Sequence, residues 1–214
     1  MKTIQNILLI TTIITLTGCL GVPSGYVKLQ SNQKFYKKTD EFKGISYYQH
    51  GYFFQSGLMP KPFQLYVGES KSLLESRKKA EELLATVTDE ATKERIKNVL
   101  GNSTKEGKTL KLELNYKGSS WIFFDNGTII NSNGGKMEWN MKSYDKETDV
   151  YGGNVTETYT VSLSEDKSKE LFQLLSKPGE VKLRLSGKYY QDYPIDFTYK
   201  NALLDVIKFI YNFS

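Results

Sequence analysis

One cysteine, one histidine and 15 tyrosines set the limits of the chemistry open to this 214-residue chain. A lone cysteine cannot pair within its own chain, which excludes a disulfide scaffold. Cys19 and His50 together are too few for a Cys/His zinc site. Nucleophilic catalysis needs a nucleophile beside an activating base. His50 is the only imidazole, it sits in Gln49-His50-Gly51 at an expected strand end, and no Gly-x-Ser-x-Gly turn accompanies it. A surface or turn histidine is the expectation, and no catalytic residue is assigned. Asp145, Glu147 and Asp149 are spaced like the first ligands of a calcium loop. Val150 and Thr156 stand where that loop needs a glycine and a bidentate glutamate. A solvated, charged loop between two strands is expected there, with no metal. The chain has no Gly-x-Gly-x-x-Gly, no P-loop and no His-Glu-x-x-His, so no cofactor is expected.

The tyrosines are the remaining candidates. Tyr47-Tyr48 and Tyr189-Tyr190-Gln191-Asp192-Tyr193 put tyrosines on both faces of their strands. An exposed tyrosine row suits a glycan or a protein partner. Tyr189, Tyr190 and Tyr193 are therefore the candidate binding surface. The competing reading is core packing on one face and edge decoration on the other.

Charge separates partner classes. The chain carries 29 Lys+Arg against 24 Asp+Glu, a net charge of +5. Its arginines are Arg77, Arg95 and Arg184, and lysine is the weaker residue for bidentate phosphate recognition. This is no nucleic-acid footprint, and no nucleic acid is expected as partner.

Residues 1–19 read as a targeting segment. Lys2 gives a short positive start, and Ile7–Leu16 is uncharged and apolar. Thr17 and Gly18 then precede Cys19, the layout of a secretory signal. The apolar run is about ten residues, half of the roughly 20 that a membrane-spanning helix needs. Leu16-Thr17-Gly18-Cys19 resembles the lipobox of bacterial lipoproteins. The resemblance covers residues 1–19 only. It implies diacylglycerol on the Cys19 thiol, removal of residues 1–18 and acylation of the new amino terminus. Two or more acyl chains anchor a protein stably where one does not. The mature protein would then sit on the membrane, extracytoplasmic. Leu20 replaces the aspartate that often signals inner-membrane retention, which favours the outer membrane in a Gram-negative cell. Residues 19–25 form a tether, and Leu20–Gly25 reaches only about 20 Å when fully extended.

The rest, 26–214, reads as a single α+β domain. Its expected architecture is a mostly antiparallel sheet with helices packed on one face. Lys43–Gln49 and Phe63–Val67 are rich in aromatic and β-branched residues and read as strands. Residues 69–107 are crowded with charge, lack aromatics and read as an inserted α-hairpin. Ser72-Leu73-Leu74-Glu75 fits a capping box, Thr88-Asp89-Glu90 a second helix start and Gly101 a helix end. The narrow apolar stripe of the insertion would cover one patch of sheet. Leu110, Leu112, Leu114 and Tyr116 alternate with polar residues, one face buried and one wet. Trp121–Phe124 reads as a central strand, Asn126-Gly127 as a hairpin turn, Asn133–Gly135 as the next turn and Lys136–Lys142 as a strand. Val155, Tyr159, Val161 and Leu163 alternate likewise, with Glu157 as the exception, as do Val181, Leu183 and Leu185. Pro194 suits an edge strand. Ser164 caps one expected helix (165–176) and Thr198 another (199–212).

The functional expectation is a lipid-anchored bacterial cell-envelope protein, non-enzymatic, that binds another envelope component. A lipoprotein that captures glycan, lipid or a hostile enzyme is the alternative, and an envelope hydrolase is the second. A concave pocket lined by tyrosines favours the first alternative.

Overall fold

The computed structural model describes residues 22–54, 61–101, 104, 106–142 and 145–213. The signal segment and lipobox, Leu16, Thr17, Gly18 and Cys19, lie outside them.

The α+β expectation holds, with two antiparallel sheets in place of one. The larger sheet runs in the order β1 (Val27–Lys28), β2 (Phe35–Asp40), β3 (Ile45–His50), β4 (Phe63–Ser70), β5 (Lys108–Gly118), β9 (Asn154–Leu163), β8 (Lys146–Tyr151). Register sets its inner face. Phe63, Leu65 and Val67 of β4 pair with Leu114, Leu112 and Leu110 of β5, all completely buried. The smaller sheet runs β11 (Tyr190–Ile195), β10 (Val181–Ser186), β6 (Asn126–Asn131), β7 (Lys136–Asn140). Pro194 lies on β11, an edge strand, where its missing N–H costs no ladder bond. Val181, Leu183, Leu185 and Ile129 turn inward to meet the large sheet in one continuous apolar cluster.

Two helices complete this inner layer. α3 (Glu165–Ser176) is capped by Ser164, whose hydroxyl accepts from the Lys167 N–H at 3.3 Å. α4 (Phe197–Ile210) is capped by Asp196, not Thr198; the Asp196 carboxylate accepts from the Tyr199 N–H at 2.8 Å. A carboxylate at a helix start also meets the positive end of the macrodipole. α4 lies across β3, β4 and β5. Its Tyr199 hydroxyl accepts from the Phe63 N–H at 3.0 Å, and Phe209 stacks on Phe35 at 4.3 Å. The large sheet therefore has one face covered by the small sheet and the two helices. Among the described residues no helix covers its opposite face.

Between β4 and β5 come α1 (Lys71–Thr86) and α2 (Glu90–Gly101), the expected α-hairpin. β4 and β5 are direct ladder partners, so the insertion leaves and rejoins the sheet at one point: the Ser70 N–H donates to the Gly107 carbonyl at 3.2 Å. Gly107 has φ +72, and a Cβ there would lie 2.9 Å from that of Leu74. The apolar stripe does not cover the sheet as expected. α1 has no buried residue and packs mainly on α2, with Ile96 as the buried contact. The start of α1 also departs from the capping box: Ser70 takes the cap position without a side-chain bond. Asp89 caps α2 through the Thr92 N–H at 2.7 Å, and Gly101 closes that helix from within.

The segment after β5 departs most from expectation. Trp121–Phe124 is no strand. It carries the chain from the large sheet to the small one, with Phe123 at φ +51. Its amides go to a side chain in place of a ladder. The Ile122 and Phe123 N–H groups donate to Glu157 Oε1 at 3.0 and 2.8 Å, and the Phe124 N–H donates to Oε2 at 3.0 Å. Glu157 stands on the inner face of β9 opposite Tyr116 and is 1% exposed. Lys146 Nζ, itself buried, completes the site at 3.2 Å. Asn126-Gly127 is accordingly not a turn but the start of β6, paired on both sides. Residues 146–151 are an edge strand and not a loop, so Glu147 and Asp149 extend along β8 with no curl around an ion. The turn after β6 lies where expected, at 132–135.

Glu157→Ala should cost about 3–5 kcal/mol, since it leaves a buried ammonium and three amides without their partner. Lys146→Met should cost less, because the amides keep the carboxylate. Denaturant midpoints at unchanged m-value check both. Replacing residues 71–107 by a short turn should leave the β4–β5 ladder and the circular dichroism of the sheets intact. Loss of cooperative unfolding would show that the insertion carries the fold.

Candidate functional site

Alternation that buries leucines on one face of the large sheet places a different set on the uncovered face. From β3 come Tyr47 and Gln49, from β4 Gln64 and Tyr66, and from β5 Glu113. Tyr26, just before β1, and Lys38 of β2 join them. Register aligns the set: Gln49 faces Tyr66, and Gln64 faces Glu113. The β2–β3 turn, with Phe42 at its tip, forms the rim. The result is a cleft of about 580 Å³. That is the size of a small-ligand site.

The cleft is built from ring faces and a fixed amide chain. Tyr47 and Tyr66 stand 6.2 Å apart, tilted by 56°. Tyr26 leans on Phe54 at 4.8 Å. The Tyr26 hydroxyl donates to Gln49 Oε1 at 3.2 Å, Gln49 Nε2 donates to Gln64 Oε1 at 3.0 Å, and Gln64 Nε2 donates to the Lys61 carbonyl at 3.4 Å. Each amide is thus oriented by the next, which leaves its remaining donor or acceptor pointing in a set direction. Burial pushes the Tyr66 phenol up to about 12, with the Glu113 charge as the second cause. Burial and then Glu113 also raise Tyr26. Both phenols stay protonated donors at neutral pH. Planar rings with oriented amides bind polyhydroxylated, ring-shaped ligands by stacking and hydrogen bonds.

The tyrosines singled out in sequence lie elsewhere. Tyr189 and Tyr190 are exposed at the far edge of the small sheet, and Tyr193 faces the core. The pleat sends Tyr190 and Tyr193 to opposite faces, so the three form no common surface. Tyr190 instead carries the Arg184 guanidinium at 4.7 Å, which Asp192 holds in a bidentate pair at 2.6 and 2.7 Å. A larger hollow of about 860 Å³ lies beside them, against the start of α4. Two of its three carboxylates are engaged, Asp192 by Arg184 and Asp196 as the cap of α4, and the third, Glu180, is exposed.

His50 ends β3 just before the turn at Gly51–Phe54, as expected, but it is sheltered and not on the open surface. Its side chain is 13% exposed, Nδ1 accepts from the Tyr52 N–H at 3.2 Å, and Nε2 lies 3.5 Å from Asp205 Oδ2. Burial lowers its pKa, the Asp205 charge opposing and Lys34 assisting. The hollow beside it has no serine or cysteine in its lining. Sequence reasoning flagged Tyr47 but missed Tyr26, Tyr66, Gln49, Gln64 and Glu113. The available signal was parity: each of the strand residues occupies the alternate position to a buried apolar residue.

No protein-family model matches the chain, and no curated protein and no solved structure matches it significantly either.

The raised Tyr66 phenol contributes stability that is full below pH 10, the ordinary tyrosine value, and is lost as pH rises towards 12. The unfolded chain releases that proton first, so unfolding gains across this window. Denaturant midpoints of Tyr66→Phe should therefore fall less steeply between pH 10 and 12 than those of the parent protein.

Proposed function

We propose that this protein is a lipid-anchored component of the bacterial cell envelope that binds an envelope saccharide in the tyrosine cleft without transforming it. The observation that carries the reading is the cleft itself. Three tyrosines and two oriented glutamines, from β3, β4 and the segment just before β1, converge on the face of the large sheet that no helix among the described residues covers. A face of this composition serves no core, and its amide chain is fixed before any ligand arrives. Preorganisation of this kind lowers the ordering cost of binding.

The anchor reading rests on Leu16-Thr17-Gly18-Cys19 at the end of the short apolar segment. Among the described residues no helix is long and apolar enough to cross a membrane. Tyr26 links anchor and cleft. The chain from Cys19 to Tyr26 spans at most about 25 Å, so a lipidated protein holds its cleft close to the bilayer. The ligand would then be a glycan at or near the membrane surface. A second reading, docking of another envelope protein, draws on β8. Val150 and Tyr151 of this edge strand are 61% and 84% exposed, and an open ladder edge accepts an added strand.

Titration of the full-length, lipidated protein with envelope polysaccharide fragments, read by calorimetry, tests the proposal. Tyr47→Ala and Tyr66→Ala should each weaken binding about tenfold, as loss of a stacking ring does. Saccharide binding that survives both substitutions, or no binding by the parent, overturns the reading. Cys19→Ser should abolish uptake of labelled fatty acid and release the protein from membranes.

A further inference from the structure

We infer that the cleft selects a cationic saccharide, one carrying free amino groups, over its neutral counterpart. The inference rests on the saccharide reading and adds the charge of the ligand to it.

Glu113 carries the argument. It lies in the cleft between strands whose other side chains there are tyrosine and glutamine. Asn115 Nδ2 donates to its Oε1 at 2.7 Å. Among the described residues no lysine or arginine forms an ion pair with it. The nearest candidate by position is Lys111, two residues away on the same face of β5. Its ammonium turns instead across the ladder to Ser162 Oγ at 2.6 Å. A half-buried carboxylate in an aromatic setting is thus left without a counter-charge, where a partner would strengthen every interaction.

The surroundings agree. Asp40 and Glu41 share the lining with Glu113, against the single lysine Lys38. The chain as a whole has net charge +5, so this cleft runs against the balance of the molecule. Asp40 is partly engaged, accepting from the Lys43 N–H at 3.1 Å with the Lys43 ammonium 4.0 Å away, and Glu41 is exposed on the turn, which leaves the half-buried Glu113 as the main anchor. The rings accept cations as well. Lys38 Nζ already sits 5.8 Å over the Tyr26 ring, the arrangement of a cation–π pair. A sugar ammonium beside Glu113 would meet both attractions while its ring stacks on Tyr47 and Tyr66.

Calorimetric titration of the full-length protein with a glucosamine oligomer and with the N-acetylglucosamine oligomer of equal length tests this. The amine oligomer should bind about tenfold tighter, a preference that salt weakens. Glu113→Gln keeps the acceptor for Asn115 and should bring the two affinities together while the N-acetylated oligomer binds as before. Lys38→Met removes the resident cation and should tighten the amine oligomer alone. Equal binding of the two oligomers, unmoved by Glu113→Gln, overturns the cation preference and leaves the saccharide reading standing. Binding of neither oligomer, while envelope polysaccharide fragments still bind, overturns the cation preference alone; binding of none of these saccharides overturns both.

Discussion

A single buried carboxylate holds the two sheets in their relation. Glu157 lies on the inner face of β9, where its neighbours along the strand are Val155 and Tyr159. An isolated charge at that depth would be costly. The cost is offset by three backbone N–H groups of the crossing segment and by the Lys146 ammonium. Those amides have no strand to pair with, so each side solves the other's problem. The crossing segment can leave the ladder because Glu157 receives it, and Glu157 can be buried because the segment arrives. Lys146 ties the same point to β8 and donates to the Phe124 carbonyl as well. The start of β6, and with it the small sheet, is aimed by this junction.

The consequence reaches the opposite face. With the small sheet, α3 and α4 gathered on the inner side, the large sheet keeps one face for solvent. The cleft forms there, and its polarity follows from the same alternation that gives the core its leucines. The residues that build it are far apart in sequence: Tyr26, Tyr47, Tyr66 and Glu113 come together only through the register of the ladder. The α-hairpin stays outside this arrangement. It springs from one point of the sheet, packs mainly on itself with only Ile96 buried among its described residues, and leaves the cleft open. The negative lining of that cleft, with Glu113 at its centre, sits on a chain that is otherwise basic, which concentrates an attraction for cations in the one place where aromatic faces are also presented.

Much of the domain is legible in the order of its residues. Alternation marks β5, β9 and β10, since a strand with one wet face must alternate. The Ser164 cap, the turn before β7 and the edge position of Pro194 are also legible, because each is a local rule about one donor, one dihedral or one missing N–H. The departures share a cause. Trp121–Phe124 is apolar enough for a central strand, and Asn126-Gly127 has the composition of a turn. A glutamate 30 to 36 residues away decides both. Local pattern cannot report a partner at that distance.

The candidate site divides along the same line. The order of residues settles which positions are apolar and which alternate with them, hence the class of fold and the existence of a polar sheet face. It also carries the lipobox resemblance, a signal written in consecutive residues and independent of folding. Tertiary structure alone decided that the exposed tyrosines at 189 and 190 stand apart from Tyr193, that His50 is sheltered, and that Tyr26, Tyr47, Tyr66 and Glu113 share one cleft. The physical reason is that strand order and register are set by the sum of many weak side-chain contacts across the ladder. A one-residue shift in any one strand would turn its contribution to the opposite face, and no residue in that strand announces the choice on its own.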